Sequence, residues 1–277
     1  MTLVNLEQVL VPARAEGRGL AAFNVIQIEH AEAYAVAAEK VGLPVVMQIS
    51  ENCVRYHGSL APISAATLAI AAACDQPVVV HLDHAEDVGL VEDAVRLGLT
   101  SVMYDGSRLS DAANRAQTRR VVELCHAHAV SVEAELGEVG GKDGVHTPGA
   151  RTDPAEAARF VADTGVDALA VAVGSSHAMT DRTALLDTDL IGALKDSVPV
   201  PLVLHGSSGV ADEGLAAAVR AGMTKVNIAT HLNQVFTRAM LGRLESAPTV
   251  DTRTYLGAAR DAVADEAARL MRLLATA

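Results

Sequence analysis

Short apolar runs, each closed by a polar residue, alternate along the chain with segments of helical periodicity. The runs are AAFNV (21–25), PVVMQIS (44–50), PVVVHLDH (77–84), TSVMYDG (100–106), SVEAELG (131–137), ALAVAVG (168–174), PLVLHG (201–206) and KVNIAT (225–230). Most are apolar throughout rather than alternating, as expected of parallel strands covered on both faces. In AEDVGLVEDAVRLG, Val88, Val91 and Val95 recur at spacings of three and four, which puts them on one helical face. TDPAEAARFVADTG offers Thr152 or Asp153 as an N-cap, Pro154 in the first turn and Gly165 as a stop. DEGLAAAVRAG repeats that pattern and ends at Gly222. After the eighth run come HLNQVFTRAMLGRLE and a last helix, TYLGAARDAVADEAARLMRLL. With no linker or low-complexity tract, residues 1–277 are expected to form one domain. Eight βα units in about 250 residues predict an α/β fold, a (β/α)8 TIM barrel with an extra C-terminal helix. An open doubly wound sheet is the alternative, and no GxGxxG follows the first run to support it.

Composition narrows the picture. Apolar residues make up 50% but aromatics only 3%, with no Trp, so the core must be built from Ala, Val, Leu and Ile. A net charge of -12 argues against nucleic acid or an anionic membrane as a partner. A small anion bound by backbone amides is still compatible with it. Cys53, Cys74 and Cys125 form no CxxC, which fits a reducing compartment. The first residues lack the apolar core of a signal peptide, and no apolar run approaches the roughly 20 residues needed to span a bilayer. The expectation is a cytoplasmic protein.

Barrel chemistry sits where strands end. Those ends carry Asn24, Ser50, Asp83 with His84, Asp105, Glu135, His177 just past the sixth run, His205 and Asn227. A single His is more often a surface or satisfied residue than a ligand. Three on one rim, His84, His177 and His205, suit Zn2+ or another divalent cation with a position open to substrate. His81 shares strand parity with Asp83 and is a candidate to orient the site from behind. His126 and His128 read as solvated, and His30, His57, His146 and His231 have no evident partners. GSS at 174–176, HGSSG at 205–209 and the segment around Asn227 offer small residues and exposed N–H groups for a phosphate. Lys225 either adds positive charge there or faces away as a strand-start residue.

With these residues in view, the chain resembles the class II, metal-dependent ketose-bisphosphate aldolases, of the fructose- and tagatose-bisphosphate type. HLDHAED, VMYDGS, VEAELGEVGG, GSSHAM, VLHGSSG and KVNIAT carry the resemblance, in that order, and it extends over essentially the whole chain. It implies His84, His177 and His205 as metal ligands, with Asp105 and Glu135 close to the metal. It implies Asp83 as the residue that handles the C4 hydroxyl proton. Gly174, Gly206, Ser208 and Asn227 match phosphate-binding positions, and Asn24 and Ser50 match substrate contacts. A monovalent cation, Na+ or K+, near that phosphate and a homodimer or homotetramer are also implied. The implied reaction is reversible cleavage of a ketose phosphate, such as fructose or tagatose 1,6-bisphosphate, into dihydroxyacetone phosphate and an aldehyde.

The chain departs from the family pattern at several points. A Glu-Asp pair usually follows the double glycine and supplies the second proton carrier. Here the loop reads GGKDGVHTPG, leaving Asp143 as its candidate. Ala178 stands for the usual Gly, and MTDRTALLD lacks the usual Pro. Ala229 stands where tagatose-type enzymes can have Ala. Arg253 and Arg260 are candidates for a distal phosphate, against a reading as surface arginines. Other readings are an aldolase for another modified sugar phosphate, a non-catalytic sugar-phosphate binder, or a metal-dependent barrel hydrolase. The last lacks support, because the first run ends in Asn24 with no HxH.

Overall fold

The eight apolar runs pair side by side, all parallel, and the eighth closes on the first. The strands are β1 (Leu20–Asn24), β2 (Val45–Ser50), β3 (Val78–Ala85), β4 (Ser101–Tyr104), β5 (Ser131–Leu136), β6 (Ala168–Val171), β7 (Leu202–Leu204) and β8 (Met223–Ile228). This computed structural model describes residues 2–136, 151–176, 179 and 181–277. Among the described residues the helices are α1 (Leu6–Ala15), α2 (Ile28–Val41), α3 (Glu51–His57), α4 (Ala61–Ala73), α5 (Val88–Leu97), α6 (Asp111–His126), α7 (Pro154–Thr164), α8 (Thr188–Ser197), α9 (Asp212–Ala221), α10 (Thr230–Ser246) and α11 (Thr252–Ala275). The fold is a (β/α)8 barrel with an added C-terminal helix. No helix among the described residues is long and apolar enough to cross a membrane.

Strand parity explains both the apolar runs and their polar ends. On β3, Val78, Val80 and Leu82 face outward into the sheet–helix core. Val79 belongs instead to the small core inside the barrel, with Leu20, Ala22, Val46, Ala168, Ala170 and Val203. Higher in the barrel the inward positions turn polar, with His81 and then Asp83 on β3, and Glu133 and then Glu135 on β5, all buried. The strands are therefore apolar toward the helices, and apolar inside only at the barrel floor.

One element escapes the sequence reading. Helix α1 precedes β1 and packs Leu6, Val9 and Leu10 against the barrel floor. Its start is a capping box: the Asn5 side chain accepts the Gln8 N–H, and the Gln8 side chain accepts the Asn5 N–H. Pro12 lies inside the helix and hides it from a sequence scan. Helix α7 begins as expected, and Asp153 rather than Thr152 is the N-cap, accepting the Glu156 N–H. The Thr152 hydroxyl instead ties β5 to β6, donating to the Leu136 carbonyl and accepting the Ala172 N–H.

Candidate active site

A regular strand sends adjacent side chains to opposite faces. Asp83 and His84 both reach the barrel mouth because the β3–β4 register shifts between Leu82 and Ala85. At that bulge His84 adopts φ 52°. A left-handed conformation costs a non-glycine residue about 1–2 kcal/mol, so packing and polar contacts must hold it. His84 Nδ1 lies 2.9 Å from Asp105 Oδ2. Asp105 is itself fixed, its other oxygen accepting from the Ser107 N–H at 3.2 Å and hydroxyl at 2.6 Å. With Nδ1 engaged, His84 Nε2 faces Asp83 Oδ1 at 4.0 Å.

His205 follows β7 and is completely buried. Its ring meets that of His84 with centroids 4.7 Å apart and planes at 60°. Nδ1 lies 2.9 Å from Glu135 Oε2, and Nε2 lies 3.0 Å from Glu133 Oε1. Burial opposes a charge on His205, but the two carboxylates outweigh it and raise the imidazole to about 9. Burial likewise opposes the Glu133 charge. Lys225, whose Nζ donates to Glu133 Oε2 at 2.8 Å, and His205 hold that carboxyl far below its ordinary range.

Above these groups opens a cavity of about 180 Å3, lined by Asn24, Gln48, Ser50, Asn52, Asp83, His84, Gly206, Ser207, Ser208, Asn227, Ala229 and Thr230. Asp83 forms part of its base. Asp83 Oδ2 accepts from Asn24 Nδ2 at 3.2 Å and from Gln48 Nε2 at 3.5 Å, and Gln48 Nε2 also donates to Asn24 Oδ1 at 2.8 Å. Burial works against the Asp83 charge, but the nearby positive charge of His84, Lys225 and His205 keeps it below the usual carboxylate range. Asp83 Oδ1, Gln48 Oε1 and Asn227 Oδ1 are buried acceptors without a hydrogen-bond partner among the described residues. Such atoms call for donors.

The phosphate-type features gather at one side of this cavity. Gly206 has φ 66°, and a Cβ there would sit 2.5 Å from the carbonyl carbon and oxygen of Ser176. Replacing Gly206 with Ala is therefore expected to destabilise the protein by ~1–3 kcal/mol. An unchanged midpoint in urea denaturation would show that this turn tolerates a side chain. Ser207 Oγ donates to the Asn227 carbonyl. Ser208 Oγ accepts the N–H groups of Ala229 and His231, both at 3.3 Å. Helix α10 starts at the cavity with no acid in its first turn, and its N-cap residue Ala229 supplies no side-chain cap, Ser208 taking the His231 N–H instead; its N-terminus favours an anion.

The sequence candidates thus divide. Asn24, Ser50, Asp83, His84, Gly206, Ser208 and Asn227 line one cavity, and Asp105, Glu135 and His205 pack around its base. Ser50 Oγ also caps α3 by accepting the Cys53 N–H. Gly174 is not among the residues lining the cavity; at φ 119° it backs onto the Leu185 carbonyl, 2.5 Å from where a Cβ would lie. His177 and Asp143 lie outside the described residues.

Two expectations need correction, those for Lys225 and for the histidines without evident partners; His81, Arg253, Arg260 and His126 keep to a reading the sequence offered. Lys225 neither faces away nor reaches the phosphate side, because it is fully buried inside the barrel against Glu133, and β8 starts two residues earlier at Met223. His81 lies behind the mouth, as its parity with Asp83 suggested: its Nδ1 is 2.8 Å from Ser101 Oγ and its Nε2 is 3.9 Å from Glu133, and burial and then Lys225 push it down to about 3. Arg253 pairs with Asp251, and Arg260 with Glu32 and Asp261, as in the reading as surface arginines, and neither lines the cavity. Histidines that lacked evident partners have them: His57 Nε2 meets the Ile26 carbonyl at 2.7 Å, His231 Nε2 meets Glu266 at 2.6 Å, and His30 Nδ1 accepts the Ile26 N–H at 3.3 Å. His126 is exposed, as expected, and pairs with Asp167 at 2.9 Å on the surface.

Gln48, Asn52, Glu133 and Thr230 are the residues at or beside the site that the sequence reading did not single out. Gln48 and Glu133 sit on strands at the parity of Ser50 and Glu135, so parity was the available signal.

The donor set suits a divalent metal ion. Ligand atoms of Asp83, His84 and His205 lie within 4.8 Å of one another, as do those of His84, Asp105 and Glu135. Imidazole nitrogens with carboxylate oxygens, buried or partly buried, are the ligand types of borderline first-row ions.

A family model described as fructose-bisphosphate aldolase class-II matches residues 4–277. The chain superposes on the YdjI aldolase from Escherichia coli K12 with a TM-score of 0.87 at 29% identity, covering 98% of this chain and 97% of that one. A protein from Coccidioides immitis, provisionally named a fructose-1,6-biphosphate aldolase, gives a TM-score of 0.85 at 28% identity, with the same 98% and 97% coverage. Fructose-bisphosphate aldolase from Campylobacter jejuni shares the fold, with a TM-score of 0.82 at 22% identity over 98% of this chain and 95% of that one.

Proposed function

The chain belongs to the class II fructose-bisphosphate aldolases, metal-dependent carbon–carbon lyases acting on phosphorylated sugars, and from that premise we propose that it is a zinc-dependent aldolase for a ketose 1,6-bisphosphate or a related ketose phosphate. Fructose and tagatose 1,6-bisphosphate are the first substrates to consider. The products are dihydroxyacetone phosphate and an aldehyde. The observation that carries the reading is the convergence of Asp83, His84 and His205 at the base of one small cavity.

His84, His205 and, from the sequence, His177 would hold the metal, with Asp105 and Glu135 as close carboxylates. Two or three imidazoles favour zinc over oxygen-seeking ions such as magnesium. When bound, the ion supplies a Lewis acid for the ketose C2 carbonyl and a counter-charge for the electrons released at C3. Asp83 is the base that takes the proton from the C4 hydroxyl. Its ionised state and its unpartnered Oδ1 suit that task. As the C4 oxygen becomes a carbonyl, the C3–C4 bond breaks and its electron pair moves toward C2. A proton must then reach C3, and Asp143 is the proposed carrier.

Asn24 and Gln48 hold Asp83 through Oδ2 and leave Oδ1 toward the cavity. The buried acceptors Gln48 Oε1 and Asn227 Oδ1 suit sugar hydroxyls. The start of α10, free of acidic residues, suits with Gly206 and Ser208 the phosphate of the dihydroxyacetone half, and a Na+ or K+ ion would add positive charge there. Ala229 on the cavity wall makes the tagatose-type substrate worth testing first.

An aldol screen tests the proposal. Dihydroxyacetone phosphate is offered with a panel of aldehydes, with and without chelator, and C–C bond formation is followed by product analysis. Condensation that is lost with chelator and restored by Zn2+ is the expected result. Tight binding of sugar phosphates without turnover on any aldehyde would overturn it. In the same assay Ser208→Ala is expected to raise the KM for dihydroxyacetone phosphate about tenfold, by ~1.4 kcal/mol, while leaving kcat nearly unchanged.

A further inference from the structure

Below the mouth the barrel interior holds a polar layer that does not line the cavity. His81, Ser101, Glu133 and Lys225 are all fully buried there, on β3, β4, β5 and β8. A buried ammonium–carboxylate pair is weak evidence of stabilisation, because desolvating both ions costs several kcal/mol each and apolar replacements are often neutral. The apolar packing that would serve stability lies directly beneath, in Leu20, Ala22, Val46, Val79 and Val203. The pair therefore invites a reason beyond packing.

Its geometry supplies one. Lys225 Nζ donates to Glu133 Oε2 at 2.8 Å, and the other oxygen, Oε1, lies 3.0 Å from His205 Nε2. A carboxylate engaged by an ammonium is an acceptor, so the nitrogen facing it must carry hydrogen. Glu133 lies two residues deeper on β5 than Glu135, which faces Nδ1 at 2.9 Å. Nε2 thus points into the barrel and Nδ1 toward the mouth.

We propose that the Lys225–Glu133 pair is a positioning device for His205: it fixes the proton on Nε2 and the ring orientation, so that Nδ1 is the nitrogen offered to the metal. This rests on the reading of His205 as a metal ligand. Lys225 aims Glu133 through one oxygen, and Glu133 holds the imidazole through the other. Neither touches substrate or metal. A second carboxylate, Asp105, holds His84 by its Nδ1, so the two ligands present opposite ring nitrogens.

The test compares Glu133→Gln, Lys225→Met, the double variant and His205→Ala as full-length proteins. Zn2+ affinity is measured by competition with a chromogenic chelator, the Co2+-substituted forms are compared by visible absorption, and stability is read from urea midpoints. The Gln amide can donate as well as accept, so it no longer dictates the tautomer. Each single variant is expected to lose about 10–100-fold in Zn2+ affinity. The double variant leaves no lone buried charge. It is expected to regain much of the urea midpoint while keeping the affinity loss and a changed Co2+ spectrum. If the singles fail to fold, the double variant decides alone. Parent-like affinity and spectrum in the double variant, with His205→Ala losing metal, would overturn this inference and leave the ligand assignment standing. Parent-like metal binding in His205→Ala would instead overturn the ligand assignment itself.

Discussion

Replacing Asp83 with Asn is expected to lower kcat by ~10^3–10^4-fold while leaving metal content and the urea midpoint close to those of the parent. General base catalysis by a positioned side chain contributes about 10^2–10^4-fold, and the amide removes the base without removing volume. The site argues for the upper part of that range. Asp83 is buried and held by Asn24 and Gln48 through one oxygen, so water has little room to substitute as base. His84 still has Asp105 to fix its ring, which is why the metal should stay. Steady-state kinetics with metal analysis on the same sample checks the result. A variant that keeps more than a tenth of parental kcat would remove Asp83 from the base role.

His205→Ala should produce a compound defect. The metal loses one ligand, and two buried carboxylates lose the imidazole between them. Removing one partner of a buried ionic set costs ~3–5 kcal/mol, which is a large share of the ~5–15 kcal/mol that keeps a typical domain folded. Glu133 retains Lys225, which limits the cost at that carboxylate. The expected outcome is a sharply lower urea midpoint together with sub-stoichiometric zinc and loss of turnover. His84→Ala, at a half-buried position, should lose metal and activity with a much smaller stability change. Equal destabilisation by the two substitutions would contradict the electrostatic account of His205.

The barrel was legible from the runs because β-branched strands covered on both sides advertise themselves. The polar rim was legible because a His or Asp at the end of such a run has no packing reason to be there. What the sequence hid was a matter of direction. SVEAEL shows two glutamates, and only the closed barrel distinguishes Glu135 at the mouth from Glu133 beneath it. KVNI offers a lysine whose sign suggests phosphate, and only register shows it buried against that deeper glutamate. Helix α1 was masked by Pro12, which local propensity counts as a breaker but which the packing of Leu6 and Leu10 on the barrel floor outweighs.

The bulge at His84 bears on any attempt to transplant this chemistry. On an idealised strand of a designed barrel, the sequence HLDH would turn one of its last two residues outward among the helices, and a graft of the four letters would deliver half a site. The left-handed turn between Leu82 and Ala85 is what lets a single strand present neighbours side by side. A designer copying the pair would have to copy the break in the ladder first, and then the Asp105 anchor that holds the ring against it.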